Sequence, residues 1–293
     1  MAIRFLVLFL FFSIQAIFSE SSRADTCVEG DCQNGRGILQ FSGNQYEGTF
    51  QDGKFHGKGK LFFAKNDVYI GSFKQGLFNG KGSFRFHNGD IYIGEFRNGK
   101  FAGRGIAHSA LEHKYLGEFK SQKFDGIGYY SYPDGTSFFG RFVSGKPLGK
   151  GILFSGKGSY YVGIFNNVDL LQEGFFISMM DSKKYRKIYA GKEVGTGPFV
   201  PGEKQKFSGK LQDGKYQGLG FLLSDSGNLY FGDFQQGKLQ GEGIFISSKG
   251  RKYFGNFKDN QFDGEGTLLD SDGYLIYSGI WVNNLPIEPV KEK

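Results

Sequence analysis

The chain has 293 residues, 48 of them glycine, more than twice the roughly 7% of ordinary proteins, together with 17% aromatic residues. The glycines do not recur every third residue and there are only 6 prolines, which excludes collagen, and the aromatic content excludes a disordered chain. The net charge of +7 permits anionic lipid, polysaccharide or acidic protein partners and, spread without clustering, selects none of them.

Residues 1–24 read as a signal peptide: Arg4 supplies the positive start, Phe5 to Phe18 is almost wholly apolar, and Ser22 and Ala24 stand at small-residue positions for cleavage. Cleavage after Ser19 and an uncleaved anchor are the alternatives, although fourteen apolar residues are short for a bilayer. Loss of Arg4, Arg23 and Glu20 leaves the mature chain at +6. The expected location is outside the cytoplasm: periplasmic, cell-surface or secreted. Residues 25–45 then form an N-terminal cap and partial repeat. They hold both cysteines, Cys27 and Cys32, which an oxidising compartment would let close a small disulfide loop; lipid attachment at Cys27 is the weaker alternative.

From Tyr46 the sequence repeats with a period of 23: Tyr46, Tyr69, Tyr92, Tyr115, Phe138 and Tyr161 open successive units, and the phase returns at Phe207, Tyr230 and Tyr253. A unit reads aromatic-x-Gly-x-Phe-x-x-Gly-x-x-x-Gly-x-Gly, as in Tyr69, Gly71, Phe73, Gly76, Gly80 and Gly82. Alternation predicts two short strands per unit. Tyr69, Gly71 and Phe73 share one face, and Gly80, Gly82 and Phe84 do so in the second strand, glycine leaving space for the rings. Leu61, Tyr130, Leu153, Leu222, Phe245 and Leu268 extend that apolar face. Asp52-Gly53, Asn98-Gly99 and Asp213-Gly214 mark one set of tight hairpin turns, and Asn88-Gly89, Asp134-Gly135 and Asp272-Gly273 mark the other.

Units are regular over 46–165 and 207–276 and degenerate over 166–206. There Lys184 stands where an aromatic should, but Gly191, Gly195 and Gly197 keep the phase. Val168 resists the left-handed backbone a tight turn needs, so a distorted hairpin is expected beside it. Tyr277 opens a half-repeat one residue late, and residues 277–293, with Trp281, Pro286 and Pro289, form a C-terminal cap and tail. The expected fold is all-β: an elongated single-layer array of tandem antiparallel β-hairpins stabilised by contacts between neighbours.

The segments YEGTFQDGKFHGKGKL (Tyr46 to Leu61), YIGSFKQGLFNGKGSF (Tyr69 to Phe84) and YFGDFQQGKLQGEGIF (Tyr230 to Phe245) resemble MORN repeats, the membrane occupation and recognition nexus motif, and the likeness extends over about Gly30 to Asn284. The resemblance implies a hairpin-built sheet that scaffolds protein contacts, self-association or attachment at membranes.

Two surface features are candidate binding sites. Lys54, Lys100, Lys123, Lys146, Lys192, Lys215 and Lys238 each follow the residue closing a first turn and should lie along one edge, either as a basic rail for phosphates, sulfates or acidic proteins or simply as solvating turn residues. Lys183, Lys184, Arg186 and Lys187 make a second basic cluster inside the degenerate units. The four histidines, His56, His87, His108 and His113, lack the spacing of a zinc hydrolase, and no Gly-x-Ser-x-Gly elbow occurs. The expectation is a non-enzymatic exported scaffold for a protein partner, possibly itself, with no metal, cofactor or nucleic acid. The alternative is a peripheral binder of anionic phospholipid or glycan surfaces.

Overall fold

The computed structural model describes residues 25–155, 159–166, 171–178, 184–189, 192–198 and 206–287, with side chains described for 25–155, 159–166, 174–176 and 207–287. Every regular element among them is a strand, and each strand pairs antiparallel with its neighbours in sequence, sixteen in a first sheet and eight in a second. The chain divides between Gly126 and Ile127 into two compact units, each taken by itself below.

The N-terminal unit begins with β1 (Thr26–Gly30), β2 (Arg36–Phe41), β3 (Asn44–Gln51) and β4 (Lys54–Phe62), and continues through β5 (Val68–Lys74), β6 (Leu77–Arg85), β7 (Ile91–Arg97), β8 (Lys100–His108) and β9 (Lys114–Lys120). Its first turns have the left-handed backbone at both central residues, as at Asp52 (φ 51) and Gly53 (φ 70), which is the type I′ geometry that the right-handed strand twist favours. Ser121 and Gln122, lacking glycine, adopt it too, at φ 49 and 68.

The second set of joints corrects the sequence reading. Of each pair only the glycine is left-handed, Gly89 at φ 93, while the amide of Gly89 donates to the Phe86 carbonyl (3.0 Å). These are four-residue turns closed by one left-handed residue, because the loop between Phe86 and Asp90 is too long for a two-residue turn.

The paired glycines also divide their labour. Gly71 and Gly82 face each other across β5 and β6, and the Tyr69 ring lies over both. A Cβ on Gly82 would stand 2.6 Å from the Tyr69 hydroxyl. Gly80 is different from the expectation that it too makes room for a ring: at φ 89 it sits where the register between β5 and β6 shifts, and its work is the bulge.

Each tyrosine is held the same way. Tyr69 stacks on Phe78 (3.9 Å) and takes Phe73 and the next unit's Phe96 edge-on, both at 5.0 Å. Tyr46 and Tyr92 repeat this on Phe55 and Phe101, each at 3.8 Å. The hydroxyls of Tyr46, Tyr69 and Tyr92 donate to the carbonyls of Thr49, Ser72 and Glu95 at 2.8–2.9 Å. Burial pushes the Tyr46 hydroxyl up to about 12 and raises Tyr69 and Tyr92 as well. At the chain's start a disulfide joins Cys27 to Cys32, with their Cα atoms 6.0 Å apart.

The next strand, β10 (Lys123–Ser131), straddles the boundary between the units. The C-terminal unit continues with β11 (Ser137–Val143), β12 (Lys146–Phe154), β13 (Ser159–Asn166), β14 (Leu171–Ser178), β15 (Lys184–Tyr189) and β16 (Lys192–Pro198). The second sheet is β17 (Lys206–Gln212), β18 (Lys215–Leu223), β19 (Leu229–Gln235), β20 (Lys238–Ile246), β21 (Lys252–Lys258), β22 (Gln261–Leu269), β23 (Leu275–Val282) and β24 (Leu285–Pro286). The turn expected to be distorted at Val168 lies outside the described residues. Trp281 ends the aromatic row, edge-on to Tyr253 at 5.5 Å, with its indole N–H donating to the Gly266 carbonyl (3.1 Å).

Here the hairpin array gains a feature that single-layer stacking does not contain: the two sheets touch face to face. Phe139 meets Phe254 (5.9 Å) and Phe175 meets Phe221 (5.8 Å), with Ile152, Val162, Phe231 and Ile244 fully buried among them. Beside this seam Lys150 pairs with Asp233 (2.6 Å) and Arg141 with Glu242. Lys252 is buried as well, its ammonium donating to the Ser271 carbonyl (2.7 Å) and lying 5.5 Å from the centre of the Phe154 ring. The physical reason for the contact is apolar area: large side chains on the face away from the tyrosines must find cover.

Candidate functional site

The face of the N-terminal unit opposite the tyrosines is built from a ladder of glycines. Gly37, Gly48, Gly59, Gly71, Gly82, Gly94, Gly105 and Gly117 pair in succession from β2 to β9. Because strand side chains alternate, the residues on either side of each glycine point the other way from the rings and form two rows, about 7 Å apart along the strands. One row runs Glu47, Lys60, Ile70, Ser83, Ile93, Ile106, each opposite the next. The other carries Arg36, Lys58, Lys81 and Arg104 on every second strand, opposite Thr49, Ser72, Glu95 and Glu118.

Backbone glycines therefore floor an open groove of about 840 Å³ between these rows. Ile70 and Ile93 stay 47% and 53% exposed in its lining, and Ile106, next in the same row, stays 48% exposed. Arg36, Lys58, Lys60, Lys81 and Arg104 outnumber Glu47 and Glu95 in its lining. Lys58 donates to the Ser72 hydroxyl (2.9 Å), and the Arg104 amide donates to Glu95 (3.2 Å). In the C-terminal unit the positions of Ile70 and Ser83 are taken by Phe139 and Ile152, and in the second sheet by Phe231 and Ile244, all fully buried between the sheets. One register position is thus a filled seam in one unit and an open groove in the other.

Seven copies of the MORN repeat match the sequence, at residues 46–68, 69–91, 92–110, 115–137, 138–160, 230–250 and 253–273, together just over half of the chain. The chain belongs to the MORN repeat family. No curated protein sequence matches it. Among solved structures it is similar to the TCP10 domain of Danio rerio CPAP in complex with a peptide of Danio rerio STIL, at 12% identity over 77% of this chain and 95% of that one, with a TM-score of 0.31. It is also similar to the SAS-4 (dCPAP) TCP domain of Drosophila melanogaster in complex with a proline-rich motif of Ana2, at 9% identity over 58% and 92% of the two chains, with a TM-score of 0.36. Superpositions this loose carry no argument about function.

The site residues expected from sequence stand elsewhere on the MORN hairpins. Lys54, Lys100, Lys123, Lys146, Lys215 and Lys238 begin strands directly after the turns, and all are exposed. Three of them reach the following unit's turn instead of solvent alone: Lys54 to Gln75 (3.4 Å), Lys215 to Gln236 (3.1 Å) and Lys238 to Asp259 (3.0 Å). That last pair holds the Asp259 carboxyl below its ordinary value. Lys183 lies outside the described residues. Lys184, Arg186 and Lys187 lie on β15 and Lys192 opens β16; their side chains are not among those described.

Sequence reasoning missed the groove itself. Its signal was present: the residue between the last two glycines of a unit is Lys58, Lys81 or Arg104, and the residue after the opening tyrosine is Ile70 or Ile93. It also missed the partners on which the tyrosines stack, Phe55, Phe78, Phe101 and Phe124, each directly after a turn lysine or leucine and each buried.

Proposed function

We propose that this MORN protein is an exported scaffold without catalytic activity that docks a protein partner in the glycine-floored groove of its N-terminal unit. The observation that carries this reading is the contrast at one register position. Where the rows bear Phe139, Ile152, Phe231 and Ile244 the chain covers the face itself, and where they bear Ile70, Ile93 and Ile106 about half of each isoleucine faces water. Apolar side chains ranked along a concave face beside cations are the composition of a binding surface. Export is supported by Arg4 ahead of the apolar run Phe5 to Phe18 and by the Cys27–Cys32 disulfide, a bond at home in oxidising compartments.

A photo-crosslinking residue at Ile93 in the full chain, compared with one at Lys100 on the turn edge, tests the docking surface in extracts of the native envelope. The expected result is a protein adduct from position 93 and none from 100. Adducts from 100 alone would move the binding surface to the hairpin ends and end the groove reading.

The second reading, a peripheral binder of anionic lipid or glycan, has in its favour the exposed lysines at the starts of β4, β8, β10, β12, β18 and β20. Sedimentation with phosphatidylglycerol vesicles across salt addresses it. Binding led by these charges falls steeply as screening rises, and binding that is flat in salt removes it.

A further inference from the structure

The groove's cations are spaced, and the spacing names a ligand. Arg36, Lys58, Lys81 and Arg104 stand in one row on β2, β4, β6 and β8. Neighbouring strands are about 4.8 Å apart, so these charges recur about every 9.6 Å over a groove about 29 Å long. A polyproline II segment rises about 3.1 Å per residue with three residues per turn, so one of its faces presents a side chain about every 9.3 Å. Four contacts accumulate an error near 1 Å, well within the reach of lysine and arginine side chains. A β-strand ligand fails the same comparison, because its third residue points to the opposite face.

The chain itself shows what this row accepts. In the C-terminal unit Arg141 and Lys150 occupy the corresponding row, beside Gly140 and Gly151, and meet Glu242 and Asp233 of the facing sheet while Phe139 packs against Phe254. Carboxylates on the cation row and apolar groups on the other row are the complement that closes this face. In the N-terminal unit the residues opposite Arg36 and Lys58 are the neutral Thr49 and Ser72, while Lys81 and Arg104 stand opposite Glu95 and Glu118. Among the described residues Arg36, Lys60 and Lys81 have no carboxylate within ion-pair distance.

We infer that the groove's occupant is an acidic protein segment in the polyproline II conformation, about ten residues long, with a carboxylate at every third position and apolar residues between them. This rests on the groove being the docking surface and adds the period and charge of what docks there. Each exposed charge pair is worth a factor of about two to five in affinity, so specificity comes from several in phase.

The test is fluorescence anisotropy of the full mature chain with the labelled peptide (Glu-Pro-Ile)4, a peptide of the same composition with its glutamates clustered, and (Lys-Pro-Ile)4. Expected is binding of the first at least tenfold tighter than the second, none of the third, and loss of about tenfold in the K58Q/K81Q double variant, whose folding is checked by its thermal transition. Equal binding of the phased and clustered peptides, binding unaffected by K58Q/K81Q, or no binding of either acidic peptide overturns the inference. Capture of phosphatidylglycerol vesicles that vanishes with the same two substitutions overturns it as well, in favour of a membrane ligand. If position 93 still crosslinks to a protein while the phased peptide shows no preference, the docking surface stands and only the ligand's period falls.

Discussion

Replacement of Gly82 by alanine isolates what the glycine ladder does. The three atoms nearest an added Cβ all belong to the Tyr69 ring, at 2.6–2.8 Å, where ordinary contact begins near 3.4 Å. The ring must retreat by nearly 1 Å, yet Phe78 stacks on it at 3.9 Å and its hydroxyl is tied to the Ser72 carbonyl at 2.8 Å. Overpacking costs about 1–3 kcal/mol and a strained or lost hydrogen bond about 1 kcal/mol. Alanine's stiffer unfolded chain returns about 0.5–1 kcal/mol, leaving a net loss of about 1–3.5 kcal/mol. Gly99 is the control: at φ 76 with nothing within 4 Å of an added Cβ, it should lose only about 1 kcal/mol, from backbone strain. Equilibrium urea unfolding followed by near-ultraviolet circular dichroism resolves the difference. The sharper comparison is Gly82→Ala in a Tyr69→Ala background, where with no ring to strike it should cost less than about 1 kcal/mol. An equal cost of Gly82→Ala with and without the ring would refute the slot, and so would a Gly99→Ala loss as large as that of Gly82→Ala.

Phe139→Ala should cost about 3–5 kcal/mol, and Ile93→Ala, at the same place in its repeat, under about 0.5 kcal/mol, both read by urea unfolding; similar losses would mean that the two faces are not differently covered. Alkaline titration should destabilise the fold. The folded Tyr46 hydroxyl is pushed up to about 12 while the unfolded one stays near 10, so the folded state holds its proton more tightly and stability, full below pH 10, falls between pH 10 and 12. A thermal midpoint unchanged from pH 9 to 11.5 would contradict this. Opening the small disulfide ring with Cys27→Ser and Cys32→Ser should cost about 2 kcal/mol, confined to the β1–β2 pair and visible as faster amide exchange there. Exchange spread across β3 to β9 would show that the bridge supports more than the end of the array.

The hairpins were legible because their determinants are local. A tyrosine, two facing glycines and a phenylalanine recur at fixed offsets, and each set satisfies its contacts within one unit and its neighbour, so counting residues amounts to tracing the fold. The first turns read as Asp52-Gly53, Asn98-Gly99 and Asp213-Gly214 followed from the same logic, and Asn260 and Asn284 take the same left-handed backbone, at φ 69 and 67, without glycine. The bulge at Gly80 was not legible, since glycine serves a left-handed backbone and a ring slot alike, and the spelling Gly-Lys-Gly does not say which glycine does which.

The face-to-face contact and the groove were hidden for one further reason: they depend on residues distant in sequence. Phe139 reads as another strand aromatic until Phe254, more than a hundred residues later, is seen against it. The sequence marks the position one residue after each opening aromatic as variable, passing from Glu47 through Ile70 and Ile93 to Phe139, Val162, Phe231 and Phe254. A repeat holds its opening aromatic and its ladder glycines fixed because each unit needs them, so function and long-range packing are left to the positions that the repeat does not need. That separates the two candidate surfaces on physical grounds. Three of the turn lysines, Lys54, Lys215 and Lys238, are bound to their own scaffold through Gln75, Gln236 and Asp259, and removing one of these is expected to loosen a hairpin end. The cations of the groove lie on the face the aromatic stack does not use. Lys81→Gln is therefore expected to leave the unfolding free energy from urea titration within about 0.5 kcal/mol of the parent while weakening partner binding, and a loss of stability matching the loss of binding would place Lys81 among the supports of the sheet.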